Sequence, residues 1–147
     1  VMIQGDEPMV SSEFINKSLK PFDNKDINIV NLMTEISTLD EFMDPNEPKV
    51  VFDKNLNAIY FSREPIPSLK KYDGKVPMYK QVCIIPFRRD YLLEYNKMHQ
   101  TILEKIESID MNRIIENGGK IQMVKIDGPI KSVDTPDDLI EVSRLLR

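Results

Sequence analysis

Val1-Met2-Ile3-Gln4-Gly5-Asp6-Glu7-Pro8 is the stretch from which the fold is read. Three apolar residues run straight into Gly-Asp-Glu-Pro, the pattern of a buried strand that delivers a carboxylate to the loop at its carboxyl end. In open α/β sheets that loop is where ligands bind. Gly5 permits close backbone approach or a positive φ, and Pro8 stops the strand from continuing. Asp6 is therefore expected at a sheet edge beside Glu7. The same eight residues also suit an ordinary strand followed by an acidic turn.

Downstream, the elements alternate. Ser11 or Ser12 caps a helix through Lys20 with Phe14, Ile15 and Leu19 inward, and Ile27 to Met33 is a second buried strand. Thr38-Leu39-Asp40-Glu41 has capping-box spacing and starts a short helical turn ending near Met43; residues 44–48 form a rigid connector. Lys49 to Phe52 and Ala58 to Ser62 flank an Asp/Asn turn and read as a β-hairpin. Arg63 to Met78, with Pro65, Pro67 and Pro77, is an irregular arm. Tyr79 to Phe87 is a central strand closed by Pro86, and Arg88 to Met98 a helix. Thr101-Ile102-Leu103-Glu104 opens a longer helix through Asn117, with Ile102, Ile106, Ile109 and Ile114 on one face and Gly118-Gly119 as its stop. Lys120 to Ile126 is a strand, Asp127-Gly128-Pro129 a turn and Lys131 to Val133 a short extended piece. Thr135-Pro136 starts the last helix. Strands alternating with helices, plus one hairpin, predict a single α/β domain with a mixed sheet over 1–147.

Composition narrows the function. The 147 residues are 41% hydrophobic and 30% charged with a formal net charge of −4, and Lys and Arg form no stripe, which argues against binding bulk nucleic acid. An anionic small substrate would then need a metal ion or locally placed basic residues. Cys83 is the only cysteine, so a disulfide within the chain is impossible and a reducing compartment fits. No apolar run reaches the roughly 20 residues that cross a bilayer, and the amino end carries no signal-peptide pattern; a cytoplasmic location is the expectation. Because Val1 already lies within a strand pattern, the chain is expected to be part of a longer protein.

A second acidic site stands far from the first. Asp134 lies between an extended piece and a capped helix start, a loop position like that of Asp6. Two such carboxylates can converge on one divalent cation, and hard oxygen ligands that leave positions to water and phosphate suit Mg²⁺. Asp134 with Thr135 also suits a plain helix cap, so both readings stand at this point.

The ordered set of motifs resembles a known family. Val-x-Ile-Gln-Gly-Asp-Glu-Pro at 1–8, Lys49-Val50-Val51-Phe52-Asp53 with Ala58 to Arg63 and Ile66-Pro67, Leu103-Glu104 with Glu107-Ser108-Ile109, and Ser132 to Leu139 occur in the order seen in the CMP-Kdo synthetases (3-deoxy-manno-octulosonate cytidylyltransferases), relatives of the acylneuraminate cytidylyltransferases. The resemblance spans the whole chain. It implies a Rossmann-like three-layer nucleotidyltransferase fold with a mixed sheet and a β-hairpin arm, the amino-terminal part missing. It also implies a Mg²⁺-dependent reaction in which the anomeric hydroxyl of an acidic keto sugar attacks the α-phosphate of CTP and pyrophosphate leaves. By the same resemblance Asp6 and Asp134 are the metal ligands and catalytic residues, and Gln4, Arg63, Gln81, Glu107 and Asp110 fall at sugar-side positions. An arginine fork suits a sugar carboxylate. A homodimer through residues 49–77 is implied too.

Three departures bear on the acceptor. Gln81 stands where the family often has His, Asp110-Met111 where many members have Glu-Gln, and His99-Gln100-Thr101-Ile102 replaces Pro-Pro-Thr-Pro. The metal site is kept, while a modified Kdo or another acidic sugar is left open. The Arg-, Ser- and Lys-rich loop that grips CTP phosphates in the family is not found in 1–147, so this chain alone is expected to be poorly active or inactive. A non-catalytic nucleotide-sugar-binding or assembly module is the alternative. A glycosyltransferase would need an Asp-x-Asp motif that the sequence lacks. Glu104 reads as a capping residue, His99 as a loop residue and Cys83 as a buried inert thiol.

Overall fold

The computed structural model describes residues 1–128, 130–133 and 135–145. The elements are β1 (Met2–Ile3), α1 (Ser12–Leu19), β2 (Val30–Glu35), α2 (Leu39–Met43), β3 (Lys49–Phe52), β4 (Ala58–Ser62), β5 (Tyr79–Val82), β6 (Ile84–Ile85), α3 (Arg89–Tyr95), α4 (Ile102–Glu107), α5 (Asn112–Glu116), β7 (Gln122–Lys125) and α6 (Pro136–Leu145). Five strands form one sheet in the order β4-β3-β5-β2-β7, and β1 pairs with β6 separately. The β2–β7 pair is parallel and the other pairs are antiparallel. This is the mixed α/β architecture expected.

β2 is central because its residues from Val30 to Thr34 are buried on both faces. Met33 joins a core with Ile29, Val50, Phe61, Ile85, Ile109, Met111, Ile114, Ile121 and Met123. Its neighbour Leu32 points the other way, into a second core with Phe14, Val82, Ile84, Ile126 and Ile130. Strand alternation thus divides the interior into a layer under α4 and α5 and a layer under α1.

The hairpin turn forms as the Asp/Asn pattern predicts. Asp53 Oδ1 accepts the amides of Asn55 and Asn57, both at 2.8 Å, and Leu56 takes a left-handed conformation at φ 60°. The tip then docks on β7: Ala58 donates to the Ile121 carbonyl at 2.9 Å and Met123 to the Leu56 carbonyl at 2.7 Å. The outer edge of β7 is paired this way, which is one means of protecting a sheet edge.

Four expectations are corrected. The opening strand is only two residues long and not buried, with Ile3 38% exposed. The strand expected over 79–87 breaks at Cys83, whose amide leaves the ladder for a Glu7 carboxylate oxygen at 3.0 Å. The helix expected over 88–98 is confined to Arg89–Tyr95. The helix expected through Asn117 is two helices, because Ser108 sits at φ 54°. Arg63 gives the reason for the break: its Nε and Nη2 bond the carbonyls of Glu107 and Ser108 at 2.8 and 3.3 Å, acceptors that a continuing helix would need for its own amides. The apolar face changes accordingly. Ile109 and Ile114 are buried, whereas Ile102 and Ile106 are 64% and 68% exposed.

The outer ends of the two helices are tied by hydrogen bonds. Glu104 accepts the Thr101 amide at 3.2 Å, while Glu116 accepts the amides of Leu103 and Glu104 at 2.9 and 3.3 Å. Gly118, at φ 76°, ends α5, with Gly119 donating to the Ile114 carbonyl and Gly118 to Ile115, the Schellman pattern.

The fully buried Asn112 closes the outer edge of β4. Its Oδ1 accepts the Phe61 amide at 3.2 Å and its Nδ2 donates to the Phe61 carbonyl at 3.0 Å, as a neighbouring strand would. Asn112→Leu leaves both groups buried without partners and is expected to destabilise the chain by about 2–4 kcal/mol. A urea midpoint within error of wild type would contradict this account of the β4 edge.

Candidate functional site

At the carboxyl end of β1 the chain turns, and two adjacent carboxylates take different roles. Glu7 is buried and accepts the Cys83 amide. Burial raises its pKa above the ordinary carboxylate range, with the neighbouring Asp6 charge adding to the effect and the Cys83 bond opposing it. Glu7 therefore ties the turn to the β5–β6 junction. Asp6 is left over. Its Oδ1 is buried and meets no hydrogen-bond partner among the described residues, an arrangement that costs about 1–3 kcal/mol unless something pairs with it. The Asp6 carbonyl accepts the Val133 amide at 2.9 Å, so the loop before α6 closes on the Asp6 turn. Asp134, the other expected ligand, lies outside the described residues, as does Pro129 of the expected turn. Gly5 has no positive φ, and a Cβ there would meet nothing within 4 Å.

A second group forms where β4 ends. Glu107 accepts from the hydroxyls of Tyr60 and Ser62, both at 2.9 Å, and from the Arg63 amide at 2.8 Å. Burial pushes the Glu107 pKa up, but these three donors and the Arg63 charge outweigh it and hold the group below its ordinary value. Tyr60 is pushed up to about 12 by burial and by the same carboxylate. Arg63 spends its guanidinium on the carbonyls of Glu107, Ser108 and Pro45. Beneath it lies Lys49, fully buried, with Nζ donating to the carbonyls of Asp44 and Arg63. Burial lowers the Lys49 pKa, and Asp44 and Glu47 oppose that.

Gln4 is exposed, and its backbone N–H donates to the Cys83 carbonyl at 3.3 Å. Gln81, on β5, is nearly buried, and its Nε2 donates to Asn31 Oδ1 at 2.7 Å. Asp110 follows the α4–α5 break; Tyr95 Oη donates to its Oδ2 at 3.3 Å, and burial raises its pKa. Of the expected site residues the structure thus brings Asp6 and Gln4 together at the β5–β6 junction, two residues from Gln81, and joins Arg63 to Glu107 at the end of β4. Asp110 belongs to a neighbouring cluster in which Arg113 pairs with Glu104 and stacks over the Tyr95 ring, 4.8 Å from its centroid.

A polar cleft of about 620 Å³ lies on the α1 side of the sheet, lined by Thr34, Ser37, Lys80, Lys131, Ser132 and Thr135 among others. Lys80 reaches into it from β5 and is held by Glu41 at 2.8 Å and Glu47 at 3.0 Å. Burial alone would lower the Lys80 pKa, but the two carboxylates outweigh it and keep the group above its ordinary value. Lys131 pairs with Asp138 and Glu141. Sequence reasoning passed over Lys49 and Lys80. The signal was available, since each is a charged residue inside a strand segment otherwise bound for the core.

Among the described residues no group of three or more His, Cys, Asp or Glu side chains converges as a ready-made metal cage. A Mg²⁺ ion needs only one or two carboxylates when substrate phosphates and water supply the other oxygens. The unpartnered oxygen of Asp6 fits that requirement.

A family model described as cytidylyltransferase matches residues 1–125. The chain is 39% identical over 148 residues to the 3-deoxy-manno-octulosonate cytidylyltransferase of Fusobacterium nucleatum, covering all of this chain and 60% of that protein. It is 36% identical over 158 residues to the enzyme of the same name from Pelobacter propionicus, covering all of this chain and 62% of that one. The solved structure of a CMP:2-keto-3-deoxy-manno-octonic acid synthetase complexed with CTP superposes with a TM-score of 0.88 at 32% identity over 98% of this chain and 59% of that one. The chain thus spans about three fifths of the length of the relatives it matches. With the model match running from the Asp6 turn through β7, the chain belongs to the cytidylyltransferase family.

Proposed function

We propose that this chain is the sugar-side and metal-side portion of an enzyme that transfers CMP from CTP to the anomeric hydroxyl of an acidic keto sugar, Kdo or a close relative, with release of pyrophosphate. The observation that carries the reading is the buried, unpartnered Oδ1 of Asp6 at the end of β1, opposite the loop that leads into α6. The similarity to proteins named 3-deoxy-manno-octulosonate cytidylyltransferase and to a synthetase solved with CTP supports it.

Phosphoryl and nucleotidyl transfers demand positioning and charge neutralisation rather than a protein nucleophile. Asp6 and Asp134 would hold Mg²⁺, which when bound neutralises phosphate charge and lowers the pKa of an attacking hydroxyl. The chain's own residues do the rest. Glu7 fixes the turn so that Asp6 stays at the sheet end, and the Val133 amide joins the second loop to it. The carboxylate of Glu107 and the guanidinium of Arg63 lock β4, the 44–48 connector and the α4–α5 break into one wall. Gln4, Gln81 and Asp110 offer hydrogen-bonding groups suited to sugar hydroxyls. A second copy of the chain docking on residues 49–77 belongs to the same reading, and the exposed Ile59, Leu69 and Tyr72 in that region support it.

In the complete enzyme, assayed by pyrophosphate release with CTP, Kdo and Mg²⁺, Asp6→Ala is expected to lower turnover by about 10³-fold or more with a metal-free urea midpoint no lower than that of wild type. Wild-type activity in that variant would remove the metal assignment. Gln81→His is expected to change the relative rates with Kdo and its analogues; identical ratios would show that β5 does not face the acceptor. Glu107→Ala leaves three donors without an acceptor and should destabilise the fold by about 1–3 kcal/mol at neutral pH. Since the folded-state pKa of Glu107 is depressed, its stabilisation is present above the ordinary glutamate value and is lost as pH falls through the depressed one. The stability gap between wild type and variant should therefore narrow on acidification, and a gap independent of pH would contradict the assigned role.

A further inference from the structure

Asn31 is a fully buried amide in the middle of β2. Its Nδ2 donates to two backbone carbonyls, Leu32 and Val82, both at 2.8 Å. Carbonyls only accept, so the nitrogen of this amide is fixed on that side and Oδ1 must face the other way. What it faces is Gln81 Nε2, at 2.7 Å. Oδ1 can only accept, so the Gln81 amide is fixed in turn, nitrogen toward Asn31. One Gln81 N–H and the carbonyl Oε1 are then left, and among the described residues no donor reaches Oε1.

The surroundings make this pair unusual. Gln81 lies opposite Met33 in the β2–β5 register, on the face whose core is otherwise Met33, Ile109, Met111 and Met123. Replacing a hydrogen-bonded neutral pair by apolar groups of the same shape can be nearly neutral, so stability alone does not account for the diad. The diad also lies beside the β5–β6 break at Cys83, the junction to which Glu7 ties the Asp6 turn.

We infer that Asn31 is a positioning residue for the acceptor: it holds the Gln81 amide in a single orientation, so that Gln81 meets the sugar with Oε1 as acceptor and one N–H as donor. This rests on the acceptor-side reading of Gln81 given above. The ligand class follows from the chemistry, a polyhydroxylated sugar whose hydroxyls both donate and accept. Neither amide titrates, so this contact is independent of pH, unlike one made by an imidazole.

The test is steady-state kinetics of the complete enzyme with CTP, Kdo and Mg²⁺. Asn31→Ala is expected to raise KM for the sugar by about tenfold while KM for CTP stays within about twofold, the loss of one well-placed hydrogen bond. In a Gln81→Ala background the same substitution should add nothing, because Asn31 acts through Gln81. Equal rises for both substrates, or an undiminished effect in the Gln81→Ala background, would overturn the inference. If Asn31→Ala does not fold, Asn31→Ser, whose hydroxyl still donates to a strand carbonyl, takes its place with the same expected pattern. A wild-type enzyme that turns over CTP without any sugar acid would sink the functional reading itself, whereas an active wild type whose sugar KM ignores Asn31 sinks only this step.

Discussion

The hydrogen bond from the Cys83 amide to the Glu7 carboxylate is the constraint on which the site depends. Without it, the turn after β1 would keep, among the described residues, only the backbone bonds from the Gln4 amide to the Cys83 carbonyl and from the Val133 amide to the Asp6 carbonyl to hold it on the sheet. With it, β5 stays on β2 while β6 swings to β1. The Asp6 turn is thereby held at the junction, and Glu7, not Asp6, bears the burial. Burial and the neighbouring Asp6 charge both favour a proton on Glu7. A ligand cation at Asp6 would relieve part of that repulsion, so the two carboxylates are coupled through whatever binds there.

The same device recurs across the molecule. At several places where a strand or helix ends, a polar side chain pairs the backbone groups left over. Asn112 pairs both Phe61 groups at the β4 edge, Lys49 gathers the carbonyls of Asp44 and Arg63, and Arg63 caps the carbonyls that end α4. Asn31, inside the unbroken β2, bonds the carbonyls of Leu32 and Val82 in addition. Buried backbone groups must be paired with something, and side chains here allow the strands to end abruptly and the loops to sit close to the sheet. The cost is sensitivity: removing one partner leaves a buried donor or acceptor exposed to no water at all.

Much of this architecture was legible in the residues. The hairpin, the connector at 44–48, the Gly118-Gly119 stop and the Thr135 cap follow from local turn and capping chemistry, and the structure contains each. Thr135 and Asp138, for instance, bond reciprocally, with the Asp138 amide 3.2 Å from Thr135 Oγ1. What was not legible are the interruptions. The isoleucines from 102 to 114 have a helical period, and nothing local says that Arg63, 45 residues before Ser108, would take the Ser108 carbonyl. Likewise Val82, Cys83, Ile84 and Ile85 read as one strand until Glu7, 76 residues away, claims the Cys83 amide. Periodicity reports which side of an element is apolar; it does not report competition for backbone groups by distant side chains. The candidate site was readable as a set of residue types in order, whereas the fact that Arg63 and Glu107 are spent largely on each other and on backbone was not.

That expenditure bears on the chemistry. The substrates proposed above, Kdo and CTP, are both anions, and the described cations nearest the candidate site are already engaged: Arg63 by carbonyls, Lys49 by carbonyls, Lys80 by Glu41 and Glu47, and Lys131 by Asp138 and Glu141. A net charge of −4 offers no general field to draw such substrates in. In the proposed reaction a cation bound at Asp6 would supply positive charge for the phosphates. A hard divalent ion would meet that need at the single unpartnered carboxylate oxygen of Asp6 without asking any of the engaged lysines or arginines to let go, and the Arg63–Glu107 wall would then be left to hold the shape of the proposed acceptor side.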